Sequence, residues 1–302
     1  MNSIGMQNKT IKKALDRKLK NWIDSIKDEE VRNVVFKNAI VTGGSIASMI
    51  MGDRVNDYDI YLRTKESCIT VANYYAKLFV SLNANMPEIE VKEVKLKNIN
   101  GEEEDRVVCW ISSSGVLSDD SIKTEEDFDQ DENDPGEVEL ESPKGKYVPV
   151  FISENAITLS NSIQIITRFY GEPKDIHRNY DFIHACCYYD WFKNELDTPV
   201  DALRSMQSKT LRYTGSLYPI CSLFRLRKFI SRGWKVSAGE ILKISLQISR
   251  IEDLTDVRVL REQLIGCDAL YFHKLISILQ ESGKSNFDSD YVTTIVDKVF
   301  QQ

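Results

Sequence analysis

TGGSIASMIMGDRVNDYDIYL, residues 42–62, decides how the rest of the chain is read. The run before it, NAIVT (38–42), is strand-like and ends in a Gly43-Gly44-Ser45 turn. An apolar segment through Met51 reads as a short helix, Gly52-Asp53 supplies a break, and DYDIYL (57–62) reads as a second strand. Alternate residues of a strand face the same way, so Asp57 and Asp59 project together while Tyr58 and Ile60 go to the opposite face.

Two carboxylates side by side raise one another's pKa unless a cation sits between them. Mg²⁺ suits such a pair, because it takes few protein carboxylates and completes its octahedron with water and phosphate oxygens. Two such ions about 4 Å apart can activate a hydroxyl and stabilise leaving pyrophosphate in an in-line displacement. Glycines let backbone amides approach triphosphate oxygens, and Ser45 offers a hydroxyl near a helix start. The pattern predicts Asp57 and Asp59 as catalytic metal-binding acids, with Gly43, Gly44 and Ser45 around the triphosphate of an NTP.

Around this segment lie 302 residues with 42% hydrophobic content, enough for about two domains and ample for a buried core. No apolar run approaches the roughly 18 residues that cross a bilayer, and residues 1–20 lack the apolar core of a secretory signal. A soluble, cytoplasmic protein with no membrane partner is expected. The six cysteines form no CxxC pair, and with three histidines no zinc-ligand spacing arises, so reduced thiols are expected.

Residues 9–37 carry a helical pattern, and 68–82 a second one. Stretches 88–97 and 105–112 read as strands, paired through an Asn100-Gly101 turn. VPVFIS (148–153), SIQIITRF (162–169) and DFIHACCYY (181–189) read as further strands, and from Pro199 onward the pattern is mainly helical. The fold class expected is α+β: an N-terminal helix over 1–37, a mixed-sheet head over 38–198, and a helical domain with a basic face over 199–302.

The net charge of -7 is segregated. Residues 119–141 hold twelve carboxylates against one lysine, as in a flexible insert. Residues 202–239 hold eight basic residues and no acid, with Tyr213, Tyr218, Phe224, Phe229 and Trp234 interleaved. Such a segment suits a polyanion whose phosphates meet guanidinium forks and whose bases stack on rings. It equally suits a helical hairpin with its aromatics in the core and a solvated basic face.

The turn, helix and two-aspartate strand resemble the polymerase-β-like nucleotidyltransferase superfamily. The likeness is closest to the head of class II CCA-adding enzymes and bacterial poly(A) polymerases, whose first motif reads roughly GGxVRDxLLG followed by DxD. Gly43, Gly44, Ile46, Met51, Gly52, Asp57 and Asp59 fall into that frame, while Ala47 and Ser48 replace its Arg-Asp pair. The family's RRDFTINAL motif is echoed by residues 179–185, where Asp181, Phe182 and Ala185 match and Asn179 and Tyr180 replace the arginines. Fainter likeness runs through Arg225, Lys228, Phe229, Gly233 and Trp234.

The resemblance implies a third carboxylate on the strand Ile163–Arg168, where Gln164 stands instead. Either another acid enters, Asp181 first and Glu154 second, or catalysis is slow or lost. Nucleotide-binding roles are expected for Gln164, Arg168, Arg225, Lys228 and Arg232 as well as the glycine turn. The function implied is Mg²⁺-dependent transfer of NMP from an NTP to an acceptor hydroxyl, most simply an RNA 3′ end. Transfer to a protein or small molecule, as in a toxin, and a nucleotide- or RNA-binding module that no longer catalyses are the alternatives.

Overall fold

A computed structural model describes residues 5–83, 87–97, 103–111, 146–254 and 256–264. The acidic insert, the Asn100-Gly101 turn and Cys267 lie outside them. The helix expected over 9–37 is two: α1 (Asn8–Ser25) and α2 (Glu29–Asn38). Asp28 divides them, its Oδ1 accepting from the backbone N–H of Glu30 and Val31 and so capping the second helix. Ile11, Leu15, Leu19 and Trp22 recur on one face of α1 and are buried in the same core as the sheet.

The expected strand, helix and strand follow as β1 (Ala39–Thr42), α3 (Gly44–Met51) and β2 (Tyr58–Leu62). Next come α4 (Lys65–Leu82), capped by Thr64, and a separate antiparallel hairpin of β3 (Ile89–Lys97) and β4 (Glu103–Ile111). Strands β5 (Pro149–Ile152), β6 (Ala156–Leu159) and β7 (Ile163–Tyr170) lead to α5 (Pro173–His177), then β8 (Tyr188–Asp190) and β9 (Glu195–Asp197). One seven-stranded sheet results, in the order β5-β6-β7-β2-β1-β8-β9, with β2 and β7 parallel and the other neighbours antiparallel. All four residues of β1 are buried, as its central place requires.

The fold class is therefore α+β, the mixed-sheet head being followed by α6 (Val200–Ser208), α7 (Pro219–Ser231), α8 (Ala238–Ile248) and α9 (Val257–Gln263). Among the described residues no helix is long and apolar enough to cross a membrane. Cys68, Cys109, Cys186, Cys187 and Cys221 are free thiols.

DFIHACCYY is not a continuous strand. Residues Ile183–Ala185 form a 3-10 turn, closed by Ala185 N–H donating to the Phe182 carbonyl and Cys186 N–H to that of Ile183, and only Tyr188–Asp190 pairs as strand. Within this turn His184 packs among Phe182, Phe229 and Trp234.

Burial there pulls the His184 imidazole down to about 4, against about 6.5 for an open chain. Between those values the unfolded chain takes up a proton that the folded one refuses. Stability should thus fall on acidification from about pH 6.5 to 4, at up to about 1.4 kcal/mol per pH unit from this residue. Urea unfolding across that range checks it: His184→Phe should show a shallower dependence, and an unchanged slope contradicts the assignment.

Candidate active site

Asp57 stands exposed just before β2, and Asp59, the second residue of that strand, lies deeper. Parallel pairing sets Asp59 beside Gln164 of β7, so the strand expected to bring a third acid is the neighbour and brings an amide. Above Asp59 the chain turns at Gly43, whose φ of 96° is one that side chains rarely adopt. A Cβ on Gly43 would stand 2.9 Å from Asp59 Oδ2 and 3.4 Å from Tyr180 Oη. Gly43 N–H donates to the Ala185 carbonyl at 3.2 Å, fixing the turn against the 3-10 segment.

Gly44 is exposed and begins α3, with nothing within 4 Å of where its Cβ would be. Ser45 is buried in the first turn of that helix, its Oγ without a hydrogen-bond partner. An orphaned hydroxyl at the N-terminus of the helix that follows the Gly43 turn is a polar position that a ligand oxygen would satisfy.

Gly43→Ala should cost about 1–3 kcal/mol in stability from the positive φ, and about 10²-fold in any activity that needs Asp59, because Asp59 must shift. Gly44→Ala should be tolerated. Thermal unfolding and turnover of the two variants check this, and a fully active Gly43→Ala chain contradicts it.

Burial first, and the charge of Asp57 second, push the Asp59 carboxyl well above the usual carboxylate range, with Arg225 partly offsetting them. Burial likewise raises the hydroxyls of Tyr61 and Tyr180. A divalent cation between the two acids would reverse the balance at Asp59. Among the described residues no group of three His, Cys, Asp or Glu converges. The donor set is thus two carboxylates with an open side, which fits Mg²⁺ completed by water and phosphate and not a closed structural metal site.

Asp181 and Arg225, assigned separate roles in the sequence, form one ion pair: Arg225 Nη1 donates to Asp181 Oδ2 at 2.8 Å. This pair ties the 3-10 segment to α7, and Arg225 is also the cation whose charge reaches Asp59. Lys228 and Arg232 are exposed at the far end of α7. The rings among the basic residues do not form a stacking surface, since Tyr213, Tyr218 and Trp234 are buried while Arg204, Lys209, Arg212, Arg227 and Lys235 are exposed. The side chain of Glu154 acts on Arg168, and its carbonyl accepts from Cys109 N–H.

Arg168 lies four residues beyond Gln164 on β7, about 13 Å along the strand, and lines a different cleft. Tyr61 and Arg106 gain places near these sites that no motif announced, because each depends on pairing between distant segments. Tyr180, which stands in a motif arginine's position in the sequence, lies by the Gly43 turn.

A model of the Gabija anti-defense 2 family protein matches residues 13–209. No curated protein is matched. Among solved structures, the chain is similar to the Thermotoga maritima CCA-adding enzyme complexed with tRNA at 14% identity and a TM-score of 0.40, over 88% of this chain and 53% of that one. It is also similar to a CCA-adding enzyme in apo form I, at 14% identity and a TM-score of 0.41 over 92% and 51%, and to one in complex with CTP, at 13% and 0.40 over 95% and 55%. The chain spans about half the length of these structures.

Proposed function

This chain belongs to the Gabija anti-defense 2 protein family, and from its own candidate site we propose that it is a nucleotidyltransferase that moves NMP from an NTP to an acceptor hydroxyl. The observation that carries the reading is the packing of Asp59 beneath the Gly43 turn and within reach of the Asp57 charge, with an unsatisfied Ser45 hydroxyl in the first turn of the helix that follows. Asp57 and Asp59 would hold Mg²⁺, two ions in the full reading, which when bound supplies charge neutralisation at the triphosphate and activation of the acceptor hydroxyl. Gly44 N–H and Ser45 Oγ offer donors to phosphate oxygens from the open side of the turn. Arg225 stands where its charge reaches Asp59 and also pairs with Asp181. Gln164 beside Asp59 can orient or weakly ligate but cannot take a proton, so Asp181 is the acid proposed to assist deprotonation.

The acceptor proposed first is an RNA 3′ end, with Lys228 and Arg232 among the exposed cations of α7 that would meet its phosphates. A protein side chain belonging to the defence opposed is the second reading, and the family's description as anti-defence is its support. Incubating the chain with Mg²⁺ and each radiolabelled NTP, against RNA, protein and small-molecule fractions, separates these. Label in RNA that disappears with Asp57→Asn supports the first reading and label in protein the second. Retained NTP binding with no transfer under any metal selects a binding module instead, which the amide at Gln164 would favour.

A further inference from the structure

A second cleft of about 350 Å³ is lined by Arg106 of β4, Arg168 of β7, and Arg178 and Asn179 beyond α5. Arg106 and Arg168 are only 3% and 4% exposed, an unusual depth for two guanidinium groups in one place. Their charges are unequally met. Arg106 donates to Glu104 Oε2 from Nη2 at 2.8 Å and from Nε at 3.2 Å. Of the other acids on the cleft, Asp175 faces Arg178 at 3.8 Å and Asp105 faces Lys95 at 4.0 Å.

Arg168 makes no ion pair with a carboxylate among the described residues. Its Nη2 donates to the Tyr218 hydroxyl, its guanidinium lies over the Tyr218 and Phe169 rings at 4.4 and 5.3 Å, and its Nε is buried without a partner. The Tyr218 oxygen also accepts from Arg106 Nη2 at 2.9 Å. Two buried cations therefore share one neutral acceptor, an arrangement that repulsion and desolvation oppose. Burial, and Arg106 after it, lower the Arg168 guanidinium to about 9 against the partial offset of Glu104, Glu262 and Glu154, which still leaves it charged at neutral pH. An anion with several oxygens would supply the acceptors that these two guanidinium groups lack, and phosphate matches the guanidinium fork.

We propose that this cleft binds a phosphate group, carried by a free nucleotide or by a nucleic-acid strand, with Arg106 and Arg168 on its floor and Arg178 and Asn179 at its rim. Neither Asp57 nor Asp59 lines it, so the site does not depend on those acids holding a metal.

Calorimetric titration of the full chain in EDTA with ATP, and separately with a single-stranded RNA oligonucleotide, tests the proposal. At least one probe should bind without metal, undiminished in Asp57→Asn/Asp59→Asn, and about tenfold more weakly in Arg168→Lys and Arg178→Ala. Arg178 is 78% exposed, so its variant keeps the test decisive should Arg168→Lys fail to fold. Binding of ATP alone identifies a nucleotide phosphate, and binding of RNA alone a strand phosphate. No metal-free binding of either probe, or binding that both arginine variants leave unchanged, overturns the proposal. So does binding lost only in the double aspartate variant.

Discussion

Asp59→Asn should lower nucleotidyl transfer by about 10³-fold or more and yet leave the metal-free chain folded, with a raised thermal midpoint at pH 7. Both effects have one origin. The carboxylate lies under the Gly43 turn, where burial and the Asp57 charge oppose ionisation and only Arg225 helps it. A carboxyl raised above its open-chain value favours the folded state while protonated and progressively weakens it as pH climbs through that interval. The amide removes that cost, and with it the charge that would hold Mg²⁺. The stability gain should disappear near pH 3, where acid and amide are both neutral. Parallel measurement of turnover and thermal unfolding checks the pairing of effects, and a variant that keeps full turnover overturns the assignment of Asp59.

Asp190 carries the opposite expectation. It ends β8 at 1% exposure, accepting from Arg63 Nη2 at 2.7 Å, from Lys193 N–H at 3.1 Å and from Lys193 Nζ at 3.1 Å, while Arg63 also pairs with Glu172. Burial alone would raise this carboxyl, but the Lys193 N–H and the Arg63 and Lys193 cations outweigh it and hold the group below the ordinary range. Its stabilisation is therefore present above about pH 4 and lost as pH falls through the depressed value. Asp190→Ala leaves the largely buried Arg63 with one fewer partner and should cost about 3–5 kcal/mol at pH 7. Urea unfolding at neutral and acid pH measures it. A neutral-pH cost below about 0.5 kcal/mol would show that the pair contributes no more than a surface contact.

The difference between these aspartates explains what was legible in the sequence. Gly43, Asp57 and Asp59 share one short segment, and their relation follows from a turn, a helix and a strand read locally. The pairing of β2 with the strand carrying Gln164 was also accessible, since the motif frame orders both strands. What escaped reading depends on contacts across long separations. The isolated bridge between Phe182 and Tyr213 and the aromatic packing around His184 interrupt a run whose β-branched and aromatic content reads as continuous strand. Asp28 breaks an apparently uniform helical pattern because one side chain caps the next helix. Arg168 reads as a neighbour of Gln164, but its cleft is completed by Arg106 from a hairpin some sixty residues earlier and by Leu217 from the segment before the helical tail's Pro219. Of the aromatics between the basic residues of 202–239, Tyr213, Tyr218 and Trp234 are buried, which spacing alone left undecided.

Mn²⁺ binding followed by electron paramagnetic resonance, with a non-hydrolysable NTP analogue present, probes the paired acids without requiring the acceptor. The account predicts saturable binding by the native chain that is strengthened by the analogue and weakened at least tenfold in both Asp57→Asn and Asp59→Asn. Equal Mn²⁺ affinity in the native chain and the two variants would contradict it.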